Sequence, residues 1–179
     1  MIITLGNKNS SNTNAVAKIL KNRYNFKITY ISRKVYISCC EVFGISFDDF
    51  GKKGDYKTTN TYKQYGMSAE NLLYEYINCL LKIDKDIFSK LSDRVIDNIN
   101  KNKYDNFVIP DMKRTSEYLK FKQAGSVMIK VEKNNTMKNR QLDKLQWDFV
   151  ITDNGDYYNI EGQVDHIMSK LGIQQIINK

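Results

Sequence analysis

Proline is nearly missing from this chain, with Pro110 alone among 179 residues, and there is no Gly/Ser-rich linker. Both absences argue against a second domain. The three cysteines are the vicinal pair Cys39 and Cys40 and the distant Cys79; they make no Cys-x-x-Cys, and His166 is the single histidine. Zinc sites and Cys/His or Ser/His catalysis are thereby excluded. No apolar run approaches the roughly 18 residues of a membrane span, and the start MIITLGNKNSS has neither the charged opening nor the long apolar stretch of a signal peptide. The expectation is a soluble, intracellular, cytoplasmic protein with no membrane partner. Arginine is scarce as well: five Arg stand beside 23 Lys, against 20 Asp+Glu, for a net charge of +8. A surface that reads nucleic acid leans on Arg for bidentate and stacking contacts, so only nonspecific attraction to nucleic-acid phosphates is expected.

What is present patterns as alternating strands and helices. Ile2-Ile3-Thr4-Leu5 reads as a buried strand ended by Gly6, followed by a polar turn over Asn7 to Asn14 and a helix carrying Ala15 to Leu20. Val35, Cys39, Val42 and Phe43 recur at helical spacing before Gly44 stops them. After a polar loop from Ser46 to about Asn60, Ser68 caps a helix with Leu72, Leu73, Tyr76, Ile77, Leu80 and Leu81 on one face. Asp84 caps the next, with Ile87, Phe88, Leu91, Val95, Ile96 and Ile99. Asn106 to Ile109 reads as a strand broken at Pro110-Asp111, Glu117 to Gln123 as a short helix, and Ser126 to Val131 as a strand. Asp148 to Ile151 is another, closed by the turn Asp153-Asn154-Gly155-Asp156 before a last helix with Ile160, Val164, Ile167, Met168 and Leu171. Such alternation predicts an α/β fold, a mostly parallel sheet with helices on both faces and ligands at the C-terminal ends of its strands.

The loop after the first strand is the natural phosphate site. In Gly-x-x-x-x-Gly-Lys-Ser/Thr, backbone N–H groups and a helix N-terminus enclose the phosphates and the Lys reaches the outer ones. Here Gly6-Asn7-Lys8-Asn9-Ser10 is followed by Ser11-Asn12-Thr13, so Ser11 stands for the second Gly and Asn12 for the Lys. A polar turn capping a helix is the plain alternative. In the later half, Val108 to Glu117 resembles the Asp-x-Arg-x-x-x-Glu strand end of the deoxynucleoside monophosphate kinases of phages and large DNA viruses, a branch of the P-loop kinases. Gly125 to Val131 is similar to their Gly-x-Val-x-x-Val strand. Trp147 to Gly155 is similar to their closing strand and Asn-Asp/Asn-Gly turn, followed by a last helix with Gln163-Val164. Upstream, Phe43-Gly44-Ile45-Ser46 and Gln64-Tyr65-Gly66 resemble segments of their substrate side.

The resemblance implies a single P-loop kinase-like domain over 1–179, with three layers. It implies ATP and Mg²⁺ as cofactors and a deoxynucleoside monophosphate as partner if the chain is active. On the donor nucleotide it puts Gly6, Lys8, Ser10, Ser11, Asn12 and Thr13, with Lys138 and Arg140 on a covering segment; Asp111, Lys113 and Arg114 are at the acceptor. Phosphoryl transfer is mostly positioning and charge neutralisation, so the family's cations matter most. Where they are expected, this chain has Asn12, Lys113, Asn71 and Tyr36. The departures leave two readings: a kinase with weakened or lost transfer, or a catalytically inactive scaffold in a viral or phage complex, with a protein partner or a second copy. Asp111 either binds a substrate hydroxyl or Mg²⁺ or caps the helix that follows. Glu117 reads as a surface or capping carboxylate, Trp147 as a packing aromatic, and Tyr30, Tyr62 and Tyr65 as aromatics on which a base can stack.

Overall fold

Ile2 to Leu5 form a strand because this short apolar run is rich in β-branched residues and buried on both faces, Ile3 and Leu5 completely. The computed structural model describes residues 1–6, 12–50, 61–62, 65–102, 104–133 and 142–176. Its elements are β1 (Ile2–Gly6), α1 (Thr13–Tyr24), β2 (Phe26–Ile28), α2 (Arg33–Phe43), β3 (Thr61–Tyr62), β4 (Met67–Ser68) and α3 (Ala69–Ile83). There follow α4 (Ile87–Asn100), β5 (Asn106–Met112), α5 (Thr115–Gln123), β6 (Val127–Lys133), β7 (Phe149–Asp153) and α6 (Tyr157–Lys170). The chain divides into two compact units, Met1–Ile31 with Ser89–Lys179, and Ser32–Phe88.

In the first unit five strands pair in the order β2-β5-β1-β6-β7, every pairing parallel. Strand alternation sorts the side chains. Ile3, Leu5, Val108, Ile129, Val131 and Ile151 point to the face where Val16, Ile19 and Leu20 of α1 and Ile160, Val164 and Ile167 of α6 complete one core. Ile2, Thr4, Ile109 and Met128 point the other way. The β1-α1-β2 connection runs toward one edge of the sheet and β5-α5-β6 toward the other, so right-handed crossovers place α1 and α5 on opposite faces. Lys120 of α5 is ion-paired with Asp93 of α4 at 3.0 Å. The expected α/β class is therefore present, with a wholly parallel sheet flanked by helices, an arrangement compatible with three layers.

Two local details differ from the sequence expectation. The strand beginning at Asn106 does not break at Pro110 but continues to Met112. Thr4 is opposite Ile109 and Gly6 opposite Met112, two steps on β1 against three on β5, so one extra residue is accommodated as a bulge at Pro110-Asp111. A bulge is where a strand tolerates a residue with no N–H to donate. The edge strand β2 was not expected at all: three residues with apolar Phe26 and Ile28 are too short for a period of two to register. It follows directly on α1, which ends at Asn25 in the left-handed conformation (φ 57°), a geometry asparagine tolerates better than most residues.

The second unit holds α2, a 3-10 turn at Phe47–Asp49, the antiparallel pair β3-β4, α3 and the first residues of α4. Cys39, Ile45, Ala69, Leu72 and Leu73 are buried in it, with Tyr36, Phe43, Phe50, Tyr65, Tyr76 and Ile77 packed around them. Burial pushes the Cys39 thiol pKa up, so it sits there as an apolar group. Ser68 caps α3 as expected, its Oγ accepting from the N–H of Asn71 at 3.3 Å. Asp84 accepts from the N–H of Asp86 at 3.0 Å, just ahead of α4. Among the described residues no helix is long and apolar enough to cross a membrane.

Candidate functional site

Neighbouring strands β1 and β6 send their connections toward opposite edges of the sheet, β1 to β2 and β6 to β7. In an open parallel sheet the crevice at the C-terminal ends of such a pair is where ligands bind. Gly6 ends β1 there, and α1 begins close by at Thr13.

Gly6 has a packing reason to be glycine. A Cβ on it would come within 2.6 Å of Met112 Cε and 2.7 Å of Trp147 Cζ3, closer than real carbon contacts. Trp147 is fixed over that spot: its Nε1–H donates to the carbonyl of Leu142 at 3.0 Å and its ring stands edge-on to Tyr118, centroids 5.4 Å apart. The Tyr118 hydroxyl donates in turn to the carbonyl of Gln146. Trp147 is thus a packing aromatic, as its sequence context suggests, but one packed on the first residue of the candidate phosphate loop.

Asn12 is the N-cap of α1 without a side-chain cap bond; its carbonyl accepts from the Val16 N–H at 3.0 Å. Its own N–H meets a carboxylate, Asp153 Oδ2, at 3.4 Å. Asp153 ends β7, is 2 % exposed, and accepts from the Gly155 N–H at 2.9 Å through Oδ1. An acidic side chain therefore lies at the helix terminus that a bound phosphate would approach. In the sequence Asp153 is marked only as the first residue of a turn. Lys8, Ser10, Ser11, Lys138 and Arg140 lie outside the described residues, as does Gln64.

At the end of β5, Asp111 does not cap the helix that follows. The bulge turns its carboxylate to the loop after β2, where Oδ1 accepts from the Ile31 N–H at 3.0 Å. Glu117 organises the turn into α5 instead. Its Oε2 accepts from the N–H groups of Lys113 at 2.7 Å and Arg114 at 2.9 Å, and its Oε1 from Arg114 Nη1 at 3.0 Å. This is the reach-back of a capping glutamate, made in a position 1 % exposed. Burial raises the Glu117 pKa, and the N–H groups and guanidinium only partly oppose it. Lys113 is exposed.

Beside Gly6 in the sheet register lies Lys130, whose ammonium is paired with Glu132 at 2.6 Å and Asp143 at 2.8 Å. Burial acts to lower its pKa, but the two carboxylates outweigh that and hold it above the usual lysine value. In the second unit, Tyr36 packs against Phe50 at 5.3 Å and Phe47 at 6.1 Å. A tyrosine there serves the aromatic cluster. Tyr65, a candidate for stacking a base, is edge-on to Phe43 at 5.4 Å. Asn71 is an exposed first-turn residue of α3.

Among the described residues the phosphate end of this crevice is short of positive charge. Asn12 carries no charge for a phosphate, Asp153 adds a negative one, and among the described residues no three His, Cys, Asp or Glu side chains are grouped to hold a metal ion. No protein-family model matches the chain, and no curated protein sequence matches it significantly.

Proposed function

We propose that this chain is a deoxynucleoside monophosphate kinase-like protein of P-loop kinase descent in which ATP-driven phosphoryl transfer has been lost, leaving a binding or scaffold subunit. Support for the descent comes from the sequence strings and from a parallel sheet whose C-terminal crevice lies at the end of β1, next to the start of α1. The observation that carries the loss is the state of the charges around that crevice. Arg114 is held by the buried Glu117, Lys130 is shared between Glu132 and Asp143, and Asp153 faces the N–H of Asn12, the N-cap of α1. Transfer needs cations directed at the migrating group in a preorganised arrangement, and these cations are directed at carboxylates of the fold.

Coupled ADP release, run with Mg²⁺-ATP and each deoxynucleoside monophosphate at millimolar concentration, tests the proposal. It predicts no turnover above background. Steady ADP release that depends on one monophosphate would overturn it and make the chain an active kinase, with Lys113 the exposed cation at the acceptor end.

A further inference from the structure

We infer that Gln163 is a lock on the free edge of the parallel sheet, preventing a second copy of this chain from pairing with β7. Among the described residues β7 has β6 on one side only. An edge strand offers unpaired N–H and C=O groups to any other strand, and proteins guard such edges. In a strand, N–H and C=O of alternate residues face the same side. In β7 the residues facing outward are Val150 and Thr152, because Thr152 uses both of its groups away from β6. Its N–H donates to Gln163 Oε1 at 2.9 Å, and its carbonyl accepts from Gln163 Nε2 at 2.9 Å.

The side-chain amide thus occupies the place a partner strand's peptide would take, donor to acceptor and acceptor to donor. Val150 remains as the single outward-facing residue of β7, and one residue cannot carry a ladder. Gln163 is well held for this task. Nε2 also donates to Asn159 Oδ1 at 2.6 Å, one turn earlier in α6, and α6 is fixed to the sheet by Ile160, Val164 and Ile167. The edge has reason to be guarded, since the Val150 side chain is 50 % exposed and apolar. A second β7 is the strand always available at equal concentration, and two identical edges can pair about a twofold axis.

The test compares the full-length chain with Gln163→Ala by amide hydrogen exchange and by light scattering after size exclusion over a range of concentrations. In the wild type the Thr152 amide exchanges slowly for an edge residue. In the variant at low concentration its exchange is faster by about tenfold, the loss of one ordinary hydrogen bond. At high concentration the variant shifts toward a species of twice the wild-type mass, and adding Val150→Lys reverses the shift. Gln163→Leu, of similar size but with neither donor nor acceptor, should give the same faster exchange and the same association; it carries the test if the alanine variant does not fold. Unchanged Thr152 exchange in Gln163→Ala, or variants with the wild-type mass at every concentration, overturns the inference.

Discussion

At the scale of single residues, the two ends of central strands show how packing has taken over positions that the family resemblance assigns to chemistry. Gly6 reads in sequence as the first glycine of a phosphate loop, and in the structure it is the residue that lets Trp147 and Met112 close over β1. Gly6→Ala is expected to lower stability by about 1–3 kcal/mol, the usual range for overpacking a core. The loss shrinks in a Trp147→Ala background, which a double-mutant cycle in urea measures. Glu117 supplies a pH signature. Its folded pKa lies above the ordinary 4.5, so between those two values the native state holds more of its proton than the unfolded chain does. Its contribution to stability is then fullest below 4.5 and declines as pH rises through the folded value. Glu117→Gln removes that titration: wild-type stability should fall relative to the variant as pH rises above the ordinary 4.5, and parallel curves would contradict the assignment. The contact between Gly6 and Trp147 was not legible beforehand. A glycine announces freedom of conformation or space, and nothing local says which distant side chain fills that space.

At the scale of elements, the signals that were legible were the periodic and the capped ones. β1, β5, β6 and β7 each carry three or more apolar residues, and Ser68 caps α3 as expected, whereas the Asp84 side chain, expected to cap α4, holds the turn ahead of it through the Asp86 N–H. Ser68→Ala should cost about 1 kcal/mol, measured as a lower urea midpoint with unchanged slope. The three-residue β2 was missed because it is too short for alternation. The continuation of β5 past Pro110 was missed because a bulge depends on the partner strand's register. That bulge decides how Asp111 is read: the extra residue turns its carboxylate to the Ile31 N–H, so the first role on view for Asp111 is to tie the loop after β2 to the end of β5. The candidate site was legible in outline only. Strand ends and a glycine-bearing turn mark it, and the Arg114–Glu117 pair is a local contact, but Asp143 beside Lys130 and the Asn12 N–H at Asp153 come from tertiary placement that residue types do not encode.

At the scale of the whole molecule, the charge of +8 is spread over a Lys-rich chain, and at the crevice Arg114 and Lys130 are matched by carboxylates of the fold. Nonspecific attachment to nucleic acid, where it occurs, should therefore weaken steeply with added salt. The central claim is that the crevice at the end of β1 no longer takes a nucleoside triphosphate. Its most direct measurement is calorimetric titration of the wild-type chain, and of Ser11→Gly/Asn12→Lys, with Mg²⁺-ATP. No binding heat from the wild type and saturable binding by the double variant is the predicted result, a P-loop kinase scaffold whose donor site has decayed. Saturable micromolar binding of Mg²⁺-ATP by the wild type would contradict it.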